Sequence, residues 1–236
     1  MRLMLRVVAA LFAVLASPAF AQQPDRGGLG EVLVSANRLN ARYAQQERPV
    51  IGLQRPADAA VMAVAISSDS RDPEVRRKEI HSVLLAALDR GAAAGVELVS
   101  GAFQLSPVTR ANYAELPLQW GGRADTSKVE LLVKARLAGS AAAADKRLTD
   151  FIKAVPRSDR GVIDRTGNLA LTIVDPDQYR DQVIALVAAE AARNAAMFGP
   201  EYRFNISGID SQLGWSQVSS TDVFLYLPYR YSIYPR

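Results

Sequence analysis

The sequence predicts an α+β fold made of two βαβ-like units, in which long helices pack on a largely antiparallel sheet. Three observations lead to this prediction. Several segments alternate between apolar and polar residues, with the period of two that is typical of strands. Two long segments with helical periodicity begin with the dipeptide Asp-Pro, at Asp72 and at Asp175. A strand-like segment precedes and follows each of these helices, which indicates a repeated strand–helix–strand unit.

The first unit is predicted to consist of a strand at residues 60–67, a helix at 72–94 and a strand at 96–105. Asp72 is suited to the N-cap, because its side-chain oxygen can accept hydrogen bonds from the free N–H groups of the first turn. Pro73 follows at the first helical position, where no N–H is needed. Gly95 is predicted to end the helix.

The second unit is predicted to consist of a strand at residues 168–174, a helix at 175–199 and a strand at 202–209. Asp175 is predicted to be its N-cap, by the same reasoning as for Asp72. Helical spacing places one set of residues on the face toward the sheet: Ile184, Val187, Ala188, Ala191, Ala195 and Phe198. The small alanine side chains on this face predict a close approach to the sheet or to another helix.

Residues 128–137 show the clearest strand pattern, with apolar residues on one face and polar residues on the other, apart from Leu132. This pattern predicts a sheet with one covered face and one wetter face. Pro228 lacks a ladder donor, so the last predicted strand lies at an edge or contains a bulge. The remaining predicted elements are strands at 31–37, 48–54, 113–120 and 222–234, a short helix containing Leu148, Phe151, Ile152 and Val155, and a loop at 156–166.

The first 21 residues are predicted to be a signal peptide. Arg2 and Arg6 precede an apolar run, and the small residues Ala19 and Ala21 form a cleavage site. We therefore expect an exported, periplasmic protein, with association with the outer membrane as an open alternative. Residues 22–47 are predicted to be a flexible N-terminal segment with a short strand, and residues 48–236 the α+β domain.

Composition excludes several classes of site and partner. The chain has no cysteine, so disulfides, zinc–thiolate sites and thiol catalysis are excluded. Two of the 28 basic residues lie in the signal, which leaves 26 against 24 acidic residues and a net charge of about +2. Export argues against nucleic acid as a partner. Glu190 and Arg193 interrupt the most apolar helix, so no transmembrane helix is expected after signal cleavage.

A basic cluster near the start of the first helix has two interpretations. Arg71, Arg76, Arg77 and Lys78 can form a solvated helix start, or they can contact an anionic surface such as lipid head groups. Peripheral membrane contact is therefore an open alternative.

No constellation of residues predicts a catalytic, cofactor or metal site. His81 is the only histidine, and the chain lacks the G-x-S-x-G motif that a serine hydrolase of that kind would present. A single histidine leaves only oxygen ligands for a metal. Asp69, Asp72 and Glu74 do not have the spacing of an EF-hand loop. We predict that the protein is not an enzyme and that it has no catalytic residue, cofactor or metal.

Leu186 and Met197 are the candidate subunit contact. Both are apolar residues that helical spacing places on the outer side of the 175–199 helix, opposite the face toward the sheet. Single exposed apolar residues are common on protein surfaces, so an incidental exposure is the alternative interpretation.

Four segments together resemble the SIMPL domain family of exported bacterial proteins. They are GVELVSGAFQLSPV (95–108), TSKVELLVKARL (126–137), LTIVDPDQYRDQVIALVAAEAARNAAMFG (171–199) and DVFLYLPYRYSIYP (222–235). Residues 48–54 depart from the Gly-rich first strand of that family. The resemblance implies a periplasmic or outer-membrane-associated protein, with ring-like oligomers in some members and no shared catalytic site. The segment EVLVSANR (31–38) is similar to the start of the plug of TonB-dependent receptors, but eight residues carry that likeness and it is incidental.

Three functions follow as hypotheses. The first is a non-enzymatic exported envelope or periplasmic protein that acts through protein–protein assembly, as a homo-oligomer or with an envelope protein, or through envelope contact. The alternative is a periplasmic protein that binds a small ligand in a cleft between the two repeated units. The third is a hydrolase that uses two carboxylates, which would have to converge in a pocket.

Overall fold

A computed structural model describes residues 30–34 and 50–236. The predicted signal peptide and most of the predicted 22–47 segment lie outside these residues. The strands are β1 (Glu31–Val34), β2 (Leu53–Pro56), β3 (Ala59–Ser68), β4 (Val96–Ser100), β5 (Gln104–Pro107), β6 (Gln119–Trp120), β7 (Ser127–Arg136), β8 (Val162–Val174), β9 (Tyr202–Ser207), β10 (Gly214–Gln217), β11 (Asp222–Tyr226) and β12 (Arg230–Pro235). The helices are α1 (Pro73–Ala94), α2 (Ala141–Ala154) and α3 (Arg180–Ala196).

The structure is α+β, as predicted, and the strand pairings in its sheets are antiparallel. The main sheet follows the order β3-β8-β1-β5-β4-β7, and β7 then pairs with β3 along its whole length. Six strands therefore close into a ring. The short β6 pairs with the first two residues of β7. Strands β10, β11 and β2 form a three-stranded sheet, and β9 and β12 form a two-stranded sheet.

Helix α1 confirms the predicted first helix at both ends. The Asp72 side chain accepts hydrogen bonds from the N–H groups of Glu74, at 2.7 Å, and Val75, at 3.3 Å. Gly95 follows the helix with φ of 61°, a left-handed conformation that glycine adopts readily. Strands β3 and β4 flank the helix in sequence and lie on opposite sides of β7.

The predicted N-cap at Asp175 is wrong. Asp175 has φ of 41°, and its side chain makes no capping hydrogen bond. Its N–H instead donates to the Gly30 carbonyl at 2.7 Å, which extends the pairing of β8 with β1 by one residue. A 3-10 turn then occupies Pro176–Tyr179, and the α-helix begins only at Arg180. Pairing with the N-terminal strand thus sets the conformation that Asp175 adopts.

Strand β9, which follows α3, lies outside the main sheet and pairs with β12. The order strand–helix–strand recurs around α3, but here the two strands belong to different sheets, β8 to the main sheet and β9 to the two-stranded sheet.

Three predicted strands are interrupted by turns. Residues 96–105 form the hairpin of β4 and β5, because Gly101 turns the chain with φ of 127° and a Cβ there would lie 2.0 Å from the Gln104 carbonyl oxygen. Residues 222–234 split around Pro228 into β11 and β12, which belong to different sheets. Residues 113–120 form a 3-10 turn and only two residues of strand.

The sequence prediction also missed strand structure. Strand β8 begins at Val162, within the predicted loop, and β10 was not predicted. Both segments are strands because a neighbouring strand pairs with them. Strand β8 pairs with β3 over residues 162–172, and β10 pairs with β11 over residues 214–217.

Apolar side chains form three separate cores. In the first, α1 and α2 cover one face of β3, β4 and β7. In the second, α3 packs with β1, with the end of β8 and with the three-stranded sheet. The third core fills the six-stranded ring with one residue from each strand: Leu33, Val61, Val99, Leu105, Leu132 and Ala170. Leu132 is apolar on an otherwise polar strand face because this part of the face points into the ring.

Candidate functional site

Helix α3 is held by a narrow buried face. Val183, Val187, Ala191 and Ala195 are buried against the second core, which confirms the three of them that were predicted to face the sheet. Val183 was not predicted. Ile184 and Ala188 are half-buried, and the prediction for Phe198 is wrong: its side chain is 62 % exposed. The helix ends at Ala196, so helical spacing no longer applies to Phe198.

The outer side of α3 carries both residues of the candidate subunit contact. Leu186 is 41 % exposed and Met197 is 75 % exposed. They lie on one line along the helix with Glu190 and Arg193, at intervals of four, three and four residues. Residues with this spacing lie on one face of a helix. We call Leu186, Glu190, Arg193 and Met197 the outer stripe.

The two charged residues of the outer stripe are fixed by hydrogen bonds. The Arg193 guanidinium forms an ion pair with the Glu190 carboxylate. Asn194 donates to the same carboxylate at 3.1 Å and to the Tyr231 hydroxyl at 2.6 Å. The hydrogen bond from Arg193 lowers the pKa of Glu190, so the stripe carries one negative and one positive charge at neutral pH.

Small and aromatic residues border the outer stripe. Four exposed alanines follow one side of it: Ala185, Ala189, Ala192 and Ala196. Beyond the end of the helix, the rings of Phe198 and Tyr202 pack with their centroids 5.6 Å apart. Both aromatic residues are exposed. Exposed apolar residues therefore flank the ion pair of the outer stripe, and an exposed aromatic pair follows the end of the helix.

A second group of polar residues caps the ring core at one end. Glu31, Glu97, Lys134 and Thr172 each lie two residues along their strand from a member of the ring core. The Lys134 ammonium lies 2.6 Å from a Glu31 oxygen and 2.7 Å from a Glu97 oxygen. The Thr172 hydroxyl donates to Glu31 at 2.6 Å. These bonds join β1, β4, β7 and β8, which is a structural role.

The environment of Lys134 raises its pKa. Burial alone would lower it, but hydrogen bonds from the ammonium to Glu31 and Glu97, together with their charges, outweigh burial. Sequence reasoning placed Lys134 only on the wetter face of its strand. Its partner Glu31 is 103 residues away in the chain, and no sequence pattern indicated that they meet.

A buried polar cluster joins the start of α1 to β3 and β7. Both oxygens of Glu79 accept from the Ser70 hydroxyl, at 2.8 and 2.9 Å, and Ser68 donates to one of them. Arg76 donates to the Ser70 carbonyl at 2.7 Å and to the Ser127 hydroxyl at 3.0 Å. Arg76 was predicted to be part of a solvated basic cluster, and it is instead buried. The backbone carbonyls near the helix start provide the partners that make its burial tolerable.

His81 contacts an aromatic ring. It is half-buried and meets Tyr113 edge to face, with the ring centroids 5.3 Å apart. Burial, and secondarily the charge of Arg77, lower the pKa of His81. Asp72 caps α1, and Asp69 lies 3.4 Å from Arg160. Among the residues that the structure describes, no group of three or more His, Asp or Glu side chains is placed to hold a metal ion.

Two open cavities lie beside α1. One of about 640 Å³ is bordered by α1 and Pro156, and one of about 480 Å³ by α1 and α2. They share Arg90 and Ala94. Arg147 borders the second cavity and donates to the carbonyls of Ala94 and Gly95 at 2.7 and 3.1 Å, so this side chain caps the end of α1.

Within residues 30–34 and 50–236, no helix combines the length and the apolar character needed to cross a membrane. Comparison of the chain with protein-family models, with curated proteins and with solved structures finds no match.

Proposed function

We propose that this is a non-enzymatic exported protein of the periplasm or cell envelope, and that it acts through protein–protein assembly. One observation carries the proposal. Leu186 and Met197 are large, apolar and exposed on the same stripe of a well-packed helix. Homo-oligomers and stable complexes bury apolar residues of this kind at the centre of their interfaces.

The surroundings of the outer stripe support an interface over incidental exposure. Single exposed apolar residues need no explanation, whereas a continuous apolar surface marks an interaction site. Leu186 and Met197 have exposed alanines beside them, and the exposed rings of Phe198 and Tyr202 pack together just beyond the helix. Methionine and aromatic residues are also enriched at the centres of interfaces.

The family resemblance supports the same function and compartment. The four segments similar to the SIMPL family are those that form β4 with β5, β7, β8 with α3, and β11 with β12. Membership of that family, a fold built from two repeated βαβ units and export by the N-terminal 21 residues are parts of this proposal. A homo-oligomer or a complex with an envelope protein would satisfy it. Peripheral contact with a membrane through Arg71, Arg77 and Lys78, which are exposed, is compatible with it.

Binding of a small ligand is the second candidate function. The cavity of about 640 Å³ beside α1 has the size of a ligand site. However, its wall is formed by α1 and Pro156 and by no residue of the second unit, whereas the hypothesis placed the cleft between the two units. Asp89 and Arg90 are the charged residues on its wall, and Asp89 is already paired with Arg110. This function is therefore less well supported than assembly.

Photo-crosslinking in cells tests the proposed function. A benzophenone amino acid replaces Leu186 or Met197 in the full chain, and adducts are detected by their mass after irradiation. We expect covalent protein adducts from both positions, because both side chains would lie in the interface.

The controls are exposed apolar residues elsewhere on the surface. Val218 is 43 % exposed and matches Leu186, and Trp120 is 70 % exposed and matches Met197. If positions 186 and 197 give no more adduct than positions 218 and 120, assembly through this surface is wrong.

A further inference from the structure

The outer stripe is symmetric about its own midpoint. Along the helix, Leu186 and Met197 are equally far from the level midway between Glu190 and Arg193. Each residue of the stripe therefore has a complementary counterpart at the same distance on the other side of the midpoint. Two of the four are apolar, and the other two carry opposite charges.

A two-fold axis through this midpoint would bring complementary residues together. A symmetric dimer uses the same surface on both copies, so that residue i contacts residue j and residue j contacts residue i. With two α3 helices antiparallel, Leu186 would contact Met197 of the second copy, and Glu190 would contact Arg193 of the second copy. Both contacts would occur twice.

We propose that the partner of the outer stripe is a second copy of this chain, with the two α3 helices packed antiparallel about a two-fold axis at the level midway between Glu190 and Arg193. This inference rests on the proposed function, and it adds the identity of the partner and its orientation.

The charges of the stripe select the antiparallel direction. In a parallel pair Glu190 would face Glu190 and Arg193 would face Arg193, and like charges in contact across an interface are strongly unfavourable. In the antiparallel pair, Glu190 of each copy instead faces Arg193 of the other copy. The carboxylate and the guanidinium already form an ion pair within the chain, so the dimer would hold four charges in an alternating group.

Residue size along the stripe also fits the antiparallel pair. The exposed alanines Ala189, Ala192 and Ala196 would allow the two helices to approach closely, because they carry only a methyl group.

Disulfide formation between single cysteine variants tests the orientation. The chain has no native cysteine, so Leu186→Cys and Met197→Cys each introduce one thiol into the full chain. In the antiparallel dimer two residues 186 would be about 16 Å apart along the helix, at 1.5 Å per residue over eleven residues. A disulfide needs Cα atoms within about 7 Å.

We expect a disulfide-linked dimer when the two variants are mixed and oxidised, and only background amounts from either variant alone. Efficient linking of each variant with itself would show a parallel pair and overturn the proposal. Absence of linked dimer from the mixture would overturn it as well. If no linked dimer forms but photo-crosslinking at positions 186 and 197 gives adducts with other proteins, the dimer is wrong and the proposed function stands. If neither experiment gives a product, both are wrong.

A charge exchange tests the central contacts independently. Glu190→Arg and Arg193→Glu should each weaken self-association by about tenfold or more, because each places like charges together twice. The double variant restores opposite charges and should recover most of the association. Circular dichroism of each variant confirms that the helix is retained. If the single variants associate as the wild type does, or the double variant is as weak as the singles, the proposed contacts are wrong.

Discussion

Lys134 illustrates how single residues hold the ring together. Leu132 and Lys134 lie two residues apart on the same face of β7. Leu132 points into the ring core, and Lys134 contacts Glu31 and Glu97 one layer above it. The ring therefore has an apolar layer covered by a polar one. Because Glu31 comes from β1, this ion pair joins the N-terminal strand to the domain.

The raised pKa of Lys134 predicts how stability depends on pH. The folded protein binds this proton more tightly than the unfolded chain, so the stabilisation is complete below the ordinary lysine pKa of 10.5. It is lost as the pH rises through the higher folded pKa. We expect urea unfolding to show a steeper loss of stability above about pH 10.5 in the wild type than in Lys134→Met.

Lys134→Met should also destabilise the protein at neutral pH by about 1–3 kcal/mol, because Glu31 would lose a charged partner while largely buried. Lys128→Met is the matched control, since Lys128 lies on the same strand and pairs with the more exposed Glu130. Its effect should stay within about 0.5 kcal/mol. Equal losses in the two variants would contradict the structural role of Lys134.

At the scale of elements, what could be predicted from sequence depended on the range of the interactions. The caps of α1 are local, and Asp72 and Gly95 were predicted correctly. The start of α3 was not, because the pairing of Asp175 with Gly30 joins segments that are far apart in sequence. The buried Arg76 likewise has a distant partner, because it donates to Ser127, 51 residues away, as well as to the nearby Ser70 carbonyl.

The same distinction applies to the candidate site. Helical spacing alone predicted that Leu186 and Met197 lie on the outer side of the long helix, and their exposure agrees. The polar layer of Glu31, Lys134 and Thr172 is formed by three strands and could not be predicted from any one of them.

Helix α3 gives a stability prediction at this scale. Ala191 is fully buried at the centre of the inner face, so Ala191→Leu should overpack the contact with the second core and cost about 1–3 kcal/mol. Thermal unfolding at low protein concentration measures the effect. Ala92→Leu in α1 is the control, because Ala92 is exposed, and it should be nearly neutral. An unchanged melting temperature for Ala191→Leu would mean that the inner face has been assigned wrongly.

At the scale of the whole molecule, the ring separates two different surfaces. Helices α1 and α2 cover one side of it, and α3 with the smaller sheets forms the core on the other side. The outer stripe of α3 and the aromatic residues of the two-stranded sheet therefore lie on the same side of the fold. Self-association through this side would leave the exposed basic residues at the start of α1 free.

The measurement that tests self-association most directly is the molar mass in solution, determined by light scattering over a range of protein concentrations. We predict that the wild type approaches twice the mass of one chain as the concentration rises, and that the double variant Leu186→Glu with Met197→Glu keeps the mass of one chain. A wild type that stays at the mass of one chain at every concentration, or a double variant that associates equally well, would contradict assembly through the outer stripe.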